Sequence, residues 1–462
     1  VNAPLALFLF TFGLAAVVAA LRRQHVVIWL LAGLGTGLAA LLVFVVRLDE
    51  AEGLLGIPLK ISGTWTILGR SLVLGKSNQS VVGFVYLVAA FLFGGGYVAR
   101  PGRLFYAAGL IVLGLVAASL MVVPFLYAAV LLECMAIVAV FILFPPGQRY
   151  LRAPLRMVVL YTVGMIVLLV AGWRADLLGT GAAPAGSARA ATTLAILGFA
   201  LLLAVPPFHI WLPSSAEQSH PYALAFVLLV SQTGALFLML RFVDAYVWLR
   251  EDADLFAATR WAAIAMAGFA ALWALAQGSL ARTAAYAMLA DTAIILLAFS
   301  SMTAGGYRLA LGLSGARVIS LSVWALGASV YRHSGAGDSA EELTGIGYHA
   351  PLATATVLVG LFSVAGFPLT AGFPGRWAVM AGGGGAALAV VAAIAAGSLA
   401  ALRWTSTVFR TPREFQLRES SNLERILLVV GILMCVLLGL FPQLLYPWVV
   451  NALTGLTGLA GG

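Results

Sequence analysis

Lysine is nearly missing from this sequence: two occur in 462 residues, Lys60 and Lys76, both in one polar stretch. Charged residues make up only 9% of the chain, against about a quarter in ordinary soluble domains. That is too little polar surface to face water on every side. Cysteine is equally scarce. Cys134 and Cys435 lie far apart, each inside an apolar run and without a CxxC or CxxH neighbour. No zinc or iron–sulfur spacing is written here, and both read as packing residues. The ~10-residue alternating segments of a membrane barrel are missing, as are a GxGxxG turn after a strand and an axial haem pair. The net charge of +9 reads as loop bias rather than a nucleic-acid surface.

What is present is apolar. Hydrophobic residues make up 62% of the chain and the mean hydropathy is +1.04. The runs suit the ~20 residues that a bilayer core requires. Backbone in lipid must satisfy its own hydrogen bonds, so the runs are helices. The sequence predicts an all-α integral membrane protein, one polytopic domain over 1–462 with about fourteen transmembrane helices. They fall at 4–21, 26–46, 80–99, 104–121, 124–145, 153–173, 192–212, 220–242, 259–277, 282–301, 305–331, 351–380, 384–403 and 425–449. The interruption at 47–79 reads as an extracytoplasmic loop with a short hairpin, and 404–424 as an amphipathic surface segment. Arg22-Arg23 after the first run, with no cleavage signal, mark it as a retained helix. With both termini outside, the inner loops carry 14 basic residues against 10 outside, the side that the positive-inside rule prefers. Abundant alanine, glycine and arginine beside so little lysine suggest a GC-rich bacterial genome, hence a bacterial cytoplasmic membrane.

Two runs break their own pattern. Pro206-Pro207 fall inside one, followed by Pro213; Pro368 and Pro374 fall in the other, among Gly366, Gly372 and Gly375. An interior proline removes a helical hydrogen bond and clashes with the preceding turn. Paired breaks at corresponding positions point to an ion path between repeats, with ordinary proline kinks as the alternative. The breaks are roughly 165 residues apart, which suits two inverted five-helix repeats, 104–242 and 259–403, with helices 7 and 12 broken and 425–449 as a C-terminal helix.

Three segments carry a resemblance: PPFHIWLP at 206–213, SLARTAAYAMLADTAIILLAF at 279–299, and ELTGIGYHAPLATATVLVGLFSVAGFPLTAGFPGRW at 342–377. In order and spacing they resemble the antiporter-like, proton-translocating membrane subunits of complex I. That family is shared with multisubunit cation/proton antiporters and with membrane subunits of energy-converting hydrogenases. The length is similar to the M- and N-type subunits, and Arg376, a lysine in N-type and a glutamate in M-type proteins, leans to N. The resemblance implies a membrane-arm subunit of an NADH:quinone oxidoreductase, with other membrane-arm subunits and the lipid bilayer as partners. It implies no cofactor in this chain, with NADH, FMN, iron–sulfur clusters and quinone in partner subunits. Alone, the chain is expected to oxidise nothing.

Ionisable residues at bilayer depth cost at least ~2.5–3.5 kcal/mol each and so become site candidates. Glu133 matches the family's fifth-helix glutamate, to which the resemblance assigns proton loading or coupling to a neighbour; a packing glutamate is the alternative. His209 matches the histidine at the seventh-helix break and suits a proton relay, or else it caps freed backbone groups. Asp291 falls where many relatives carry histidine, and it reads either as a proton carrier or as an arginine's partner, Arg317 being the candidate. Arg376 falls on the twelfth-helix ionisable position but cannot relay a proton by titrating; it holds an anion or snorkels to an interface.

The departures weigh more. The family's two lysine positions are Leu202 and Thr233 here, so no lysine remains in any expected membrane helix. Two mechanisms stay open. In one, protons pass by a sparse route from Glu133 through water to His209 and Asp291 toward Arg376. In the other, which the missing lysines favour, the subunit relays structural or electrostatic change between its neighbours without pumping. A cation/proton antiporter, an inorganic-carbon transporter and an energy-converting hydrogenase subunit are the competing functions.

Overall fold

The computed structural model describes residues 2–460 except 47, 49, 50, 55, 56, 68, 145–151, 180–185 and 411–420. Most of these residues form helices: α1 (Ala3–Ala20), α2 (His25–Val45), α3 (Lys76–Ala99), α4 (Leu104–Met121), α5 (Ala128–Leu143), α6 (Arg152–Gly179), α7 (Ser187–Leu202), α8 (Trp211–Gln218), α9 (Pro221–Ala245), α10 (Ala253–Ala276), α11 (Leu280–Phe299), α12 (Ala304–His333), α13 (Pro351–Ala365), α14 (Phe373–Ala381), α15 (Gly384–Val408), α16 (Asn422–Leu440) and α17 (Tyr446–Thr454). Among the described residues, 12 helices are long and apolar enough to cross a membrane. Two shorter apolar helices, α7 and α13, end at the breaks expected from sequence. The expected helices 192–212 and 351–380 are therefore each divided, into α7 with α8 and α13 with α14.

Three expectations need correction. The C-terminal helix expected over 425–449 stops at Leu440 and resumes at Tyr446. Pro442 stands at the boundary, where it cannot supply the N–H that would continue the helix. The chain is not purely helical: β1 (Ala51–Leu54) pairs with β2 (Ile57–Lys60), and β3 (Thr64–Ile67), β4 (Arg70–Val73) and β5 (Val122–Val123) form a second small antiparallel sheet. The hairpin foreseen in the 47–79 loop is thus two hairpins, one of them tied to the end of α4. Cys435 is buried, but Cys134 is exposed, so only one of the two is a packing residue. Of the amphipathic segment expected at 404–424, residues 404–408 continue α15 and 411–420 lie outside the described residues, as do the loop arginines Arg47, Arg149, Arg413 and Arg418.

The helices begin where side chains can accept the free amides of a first turn. Asp252 accepts from Asp254 and Leu255 at the start of α10, Ser279 from Arg282 at α11, and Thr303 from Gly306 at α12. The core is α9, α11 and α12, buried over 94%, 89% and 89% of their apolar windows, whereas α1 and α16 are buried over 28% and 22%. The outer helices present leucine and valine outward, as a lipid-facing shell does. Small residues let the inner helices approach: a Cβ on Gly360 of α13 would lie 2.4 Å from the backbone nitrogen of Trp324 on α12.

At one end of the core, polar contacts tie the two halves together. Asp338 accepts hydrogen bonds from the Ser279 hydroxyl and, at 3.0 Å, from the Ala281 amide. Arg282 pairs with Glu217 at the end of α8, and Arg332 donates to the Ser219 carbonyl. Burial pushes the Asp338 carboxyl up to about 6, against the pull of its Ser279 and Ala281 hydrogen bonds and of Arg332, with Glu217 adding a smaller push upward.

Three outcomes follow. Gly360→Ala forces backbone against backbone and should destabilise the purified protein by about 1–3 kcal/mol. Gly268→Ala on α10, where a Cβ meets nothing within 4 Å, should leave thermal unfolding unchanged or slightly improved. Asp338 gains protons in the folded state before the unfolded chain does. Its stabilising contribution is therefore complete below its unfolded value near 3.8 and is lost as pH rises through about 6. Melting temperatures between pH 4 and 7 should fall less steeply with rising pH in Asp338→Asn than in the natural chain.

Candidate functional site

The site is built around the second break. α13 ends at Ala365, and the chain turns through Gly366 (φ 83°) and Leu369 (φ 69°) before α14 begins at Phe373. Pro368 lies inside this turn. Pro374 lies in the first turn of α14, where a missing N–H costs nothing. The break leaves the last carbonyls of α13 without helical partners. Arg376 fills that vacancy. Its Nη1 donates to the Ser363 carbonyl at 3.3 Å and to Gly372 at 2.9 Å, and its Nη2 to the Val364 carbonyl at 2.5 Å. The negative end of the α13 dipole adds to this hold. Arg376 is 1% exposed, so the snorkelling alternative is corrected: it points into the core, because the broken helix supplies acceptors there.

The same guanidinium reaches Asp291 on α11, its Nη2 2.6 Å from Oδ1. Arg317 on α12 takes the other oxygen, Nε to Oδ2 at 2.5 Å. It also donates from Nη1 to the Gln232 carbonyl oxygen on α9 and from Nη2 to Thr292 at 2.9 Å. One carboxylate therefore sits between two arginines, all three below 10% exposure, with one positive charge in excess. Ser320 and Ser363 pair at 2.7 Å beside them. A cavity of about 20 Å³ borders Arg317, Gln232, Thr233, Thr292 and Ser314, room for a water.

Glu133 lies apart from this cluster, buried on α5 with Oε1 2.6 Å from the Thr162 hydroxyl and Oε2 unpartnered. Tyr161, next to Thr162 on α6, is fully buried, and its hydroxyl has no hydrogen-bond partner among the described residues. His209 is elsewhere. It lies in a 3-10 turn just after Pro206-Pro207, its ring 4.9 Å from Phe269 and 6.1 Å from Tyr286, with Nδ1 unpartnered. It therefore does not cap the freed backbone of its own break through Nδ1. At that break Ala204 adopts φ 56°, a left-handed conformation that an alanine holds only under tertiary constraint. Leu202 is 1% exposed at the end of α7, and Thr233 spends its hydroxyl on the Leu229 carbonyl.

Of the candidates read from sequence, Asp291, Arg317 and Arg376 come together, and Glu133 and His209 each stand separately. Tyr161, Thr162 and Ser363 were missed. Tyr161-Thr162 are two polar groups in the apolar run VVLYTVGMIVLL, and that interruption was the available signal. Nothing local marks Ser363.

Residues 180–402 match the family described as NADH:quinone oxidoreductase/Mrp antiporter, transmembrane. The chain is 30% identical over 276 residues to the NADH-quinone oxidoreductase subunit N of Ectopseudomonas mendocina, an alignment covering 56% of this chain and 54% of that one. It thus spans about half the length of that relative. Two solved structures share its fold. One is in respiratory complex I from Thermus thermophilus with bound NADH (TM-score 0.77, 23% identity, 99% of this chain and 100% of that chain). The other is in the Mrp complex from a Dietzia species (TM-score 0.78, 17% identity, 99% of this chain and 97% of that chain). The chain is a multi-pass membrane protein, and its residues 180–402 carry the transmembrane region of the NADH:quinone oxidoreductase/Mrp antiporter family.

Proposed function

We propose that this chain is an antiporter-like membrane-arm subunit of a complex I-type NADH:quinone oxidoreductase, and that it relays conformational or electrostatic change between neighbouring subunits without passing protons through its own centre. NADH, FMN, iron–sulfur clusters and quinone belong to partner chains in this reading, and both termini face outward from a bacterial cytoplasmic membrane. Two inverted repeats, 104–242 and 259–403, are part of it. Equivalent packing supports them: α4 packs on α5 as α10 does on α11, α6 on α7 as α12 on α13, and α4 on α9 as α10 on α15.

The observation that carries the mechanistic half is Asp291 held on both oxygens by guanidinium groups. Arginine does not release its proton in proteins, so the cluster is a fixed charge. Its single positive excess opposes any cation entering the centre, the barrier by which some pores exclude protons. Where the family has lysines, Leu202 closes the path and Thr233 offers only a hydroxyl oxygen. The likeness to a Mrp complex keeps a cation/proton antiporter as the second reading. The same positive excess weighs against sodium passing this way. Sodium-driven proton flux in vesicles of the complex, measured without electron donor, would favour it.

In the assembled complex, Glu133→Gln and His209→Ala should leave the number of protons moved per electron unchanged. A drop in that number in either variant would return the sparse proton route to first place. Asp291→Asn strands two buried guanidinium groups and should cost about 3–5 kcal/mol, read as a fall in melting temperature of the purified chain. Adding Arg317→Gln should recover part of that loss. An unshifted melting curve for Asp291→Asn would contradict the clamp.

A further inference from the structure

We infer that an anionic phospholipid docks in the cleft between the start of α6 and the first helix break, its phosphate on Arg152 and Arg156 and an acyl chain along the apolar floor. The cleft has a volume of about 650 Å³ and runs from the two arginines past Leu155 and Val159 to Pro207, Ile210 and Trp211. Neither arginine has an ion-pair or hydrogen-bond partner among the described residues, and both are exposed. They also occupy the wrong end of their helix. Cations disfavour the positive N-terminal end of a helix dipole, and α6 carries no acidic residue in its first turn. Two free guanidinium groups and the amides of a helix start thus all ask for an anion at one place.

The floor indicates what kind of anion. Arg152 and Arg156 are the first and fifth residues of α6; Val159 lies ~10 Å further along the axis than Arg152. Arg152 sits at the helix end and Arg156 one turn in, beside Leu155, with a side chain long enough to carry its guanidinium back toward headgroup level, and Val159 lies a further turn deeper. Leu155 is 54% exposed, Val159 60% and Ile210 54%. This is the layering of an amphiphile, charged head above and hydrocarbon below, and basic pockets between membrane helices take such headgroups. A free inorganic anion would use the arginines and leave the floor bare. Buried Trp211 closes the foot of the cleft. A lipid seated here braces α6 against α8, two helices already in contact, at the break that holds His209. The inference does not depend on the function proposed above.

The test uses the full chain, purified and delipidated, titrated with phosphatidylglycerol or phosphatidylcholine and read by native mass spectrometry and thermal unfolding. Phosphatidylglycerol should be retained and should raise the melting temperature, and phosphatidylcholine should do neither. Arg152→Gln with Arg156→Gln should weaken phosphatidylglycerol binding about 25-fold, about 5-fold for each arginine. Ile210→Trp, which fills the floor and keeps both charges, should weaken it as well, and it answers the question if the double variant fails to fold. Equal binding of the two lipids, an unchanged affinity in the double variant or in Ile210→Trp, or complete displacement by millimolar inorganic phosphate would each overturn the proposal. So would a map of the assembled complex with a neighbouring subunit's carboxylate on these arginines.

Discussion

One carboxylate between two guanidinium groups organises the centre of this protein. Burying a lone charge at bilayer depth is costly, and burying three is tolerable only when nearly every donor and acceptor is engaged. Asp291 has both oxygens bonded, Arg317 on α12 spreads its donors over α9 and α11, and Arg376 leans on the open carbonyls of α13. The helix break and the arginine need each other. Without the guanidinium the Val364 carbonyl would be orphaned in a dry interior, and without the break Arg376 would have only Asp291 to answer its charge.

That dependence explains the packing around it. Four elements, α9, α11, α12 and the α13–α14 break, must reach one point, which requires backbones to approach closely. Gly360 lets α13 press against the main chain of Trp324, and Gly327 lets α12 press against Val357 in return. The two contacts are reciprocal, so α12 and α13 meet along a line of small residues rather than through large side chains. Membrane helices gain little from excluding lipid, since hydrocarbon is as apolar as leucine; close contact and buried polar bonds hold them together. Here both occur at one crossing.

Much of this was legible in the chain. The run at 104–121 is bounded by Pro101-Gly102-Arg103 and by Val122-Val123-Pro124, and the helix has those ends. The prolines and glycines that mark the two breaks report a backbone property, which sequence records directly. The clamp was harder to read. Arg376 and Asp291 are 85 residues apart and Arg317 and Asp291 are 26 apart, so their meeting is set by helix packing and not by local pattern. Reading Arg317 as Asp291's partner succeeded because an intramembrane charge needs an opposite one. Arg376 was harder, because whether it turned inward depended on which carbonyls the break left open. The C-terminal helix was overrun because hydropathy continues through Phe441-Pro442, whereas helical hydrogen bonding does not.

The choice of arginine over lysine decides what the centre can do. A lysine ammonium is a compact charge whose pKa yields readily to burial and to a moving neighbour, which makes it a switch. A guanidinium keeps its charge under the same pressures and spends it on several fixed hydrogen bonds at once. Arg376 alone bonds three backbone carbonyls and a carboxylate, a geometry that no ammonium with three donors could meet. A centre built on such a group resists changes of protonation, and in the proposed function it passes on displacement instead. If α11 or α12 shifts, the clamp moves as a unit and pulls on the break through Ser363 and Val364. Rigid coupling of this kind requires no proton path, which is why the proposed relay rests on the two arginines rather than on a titrating group.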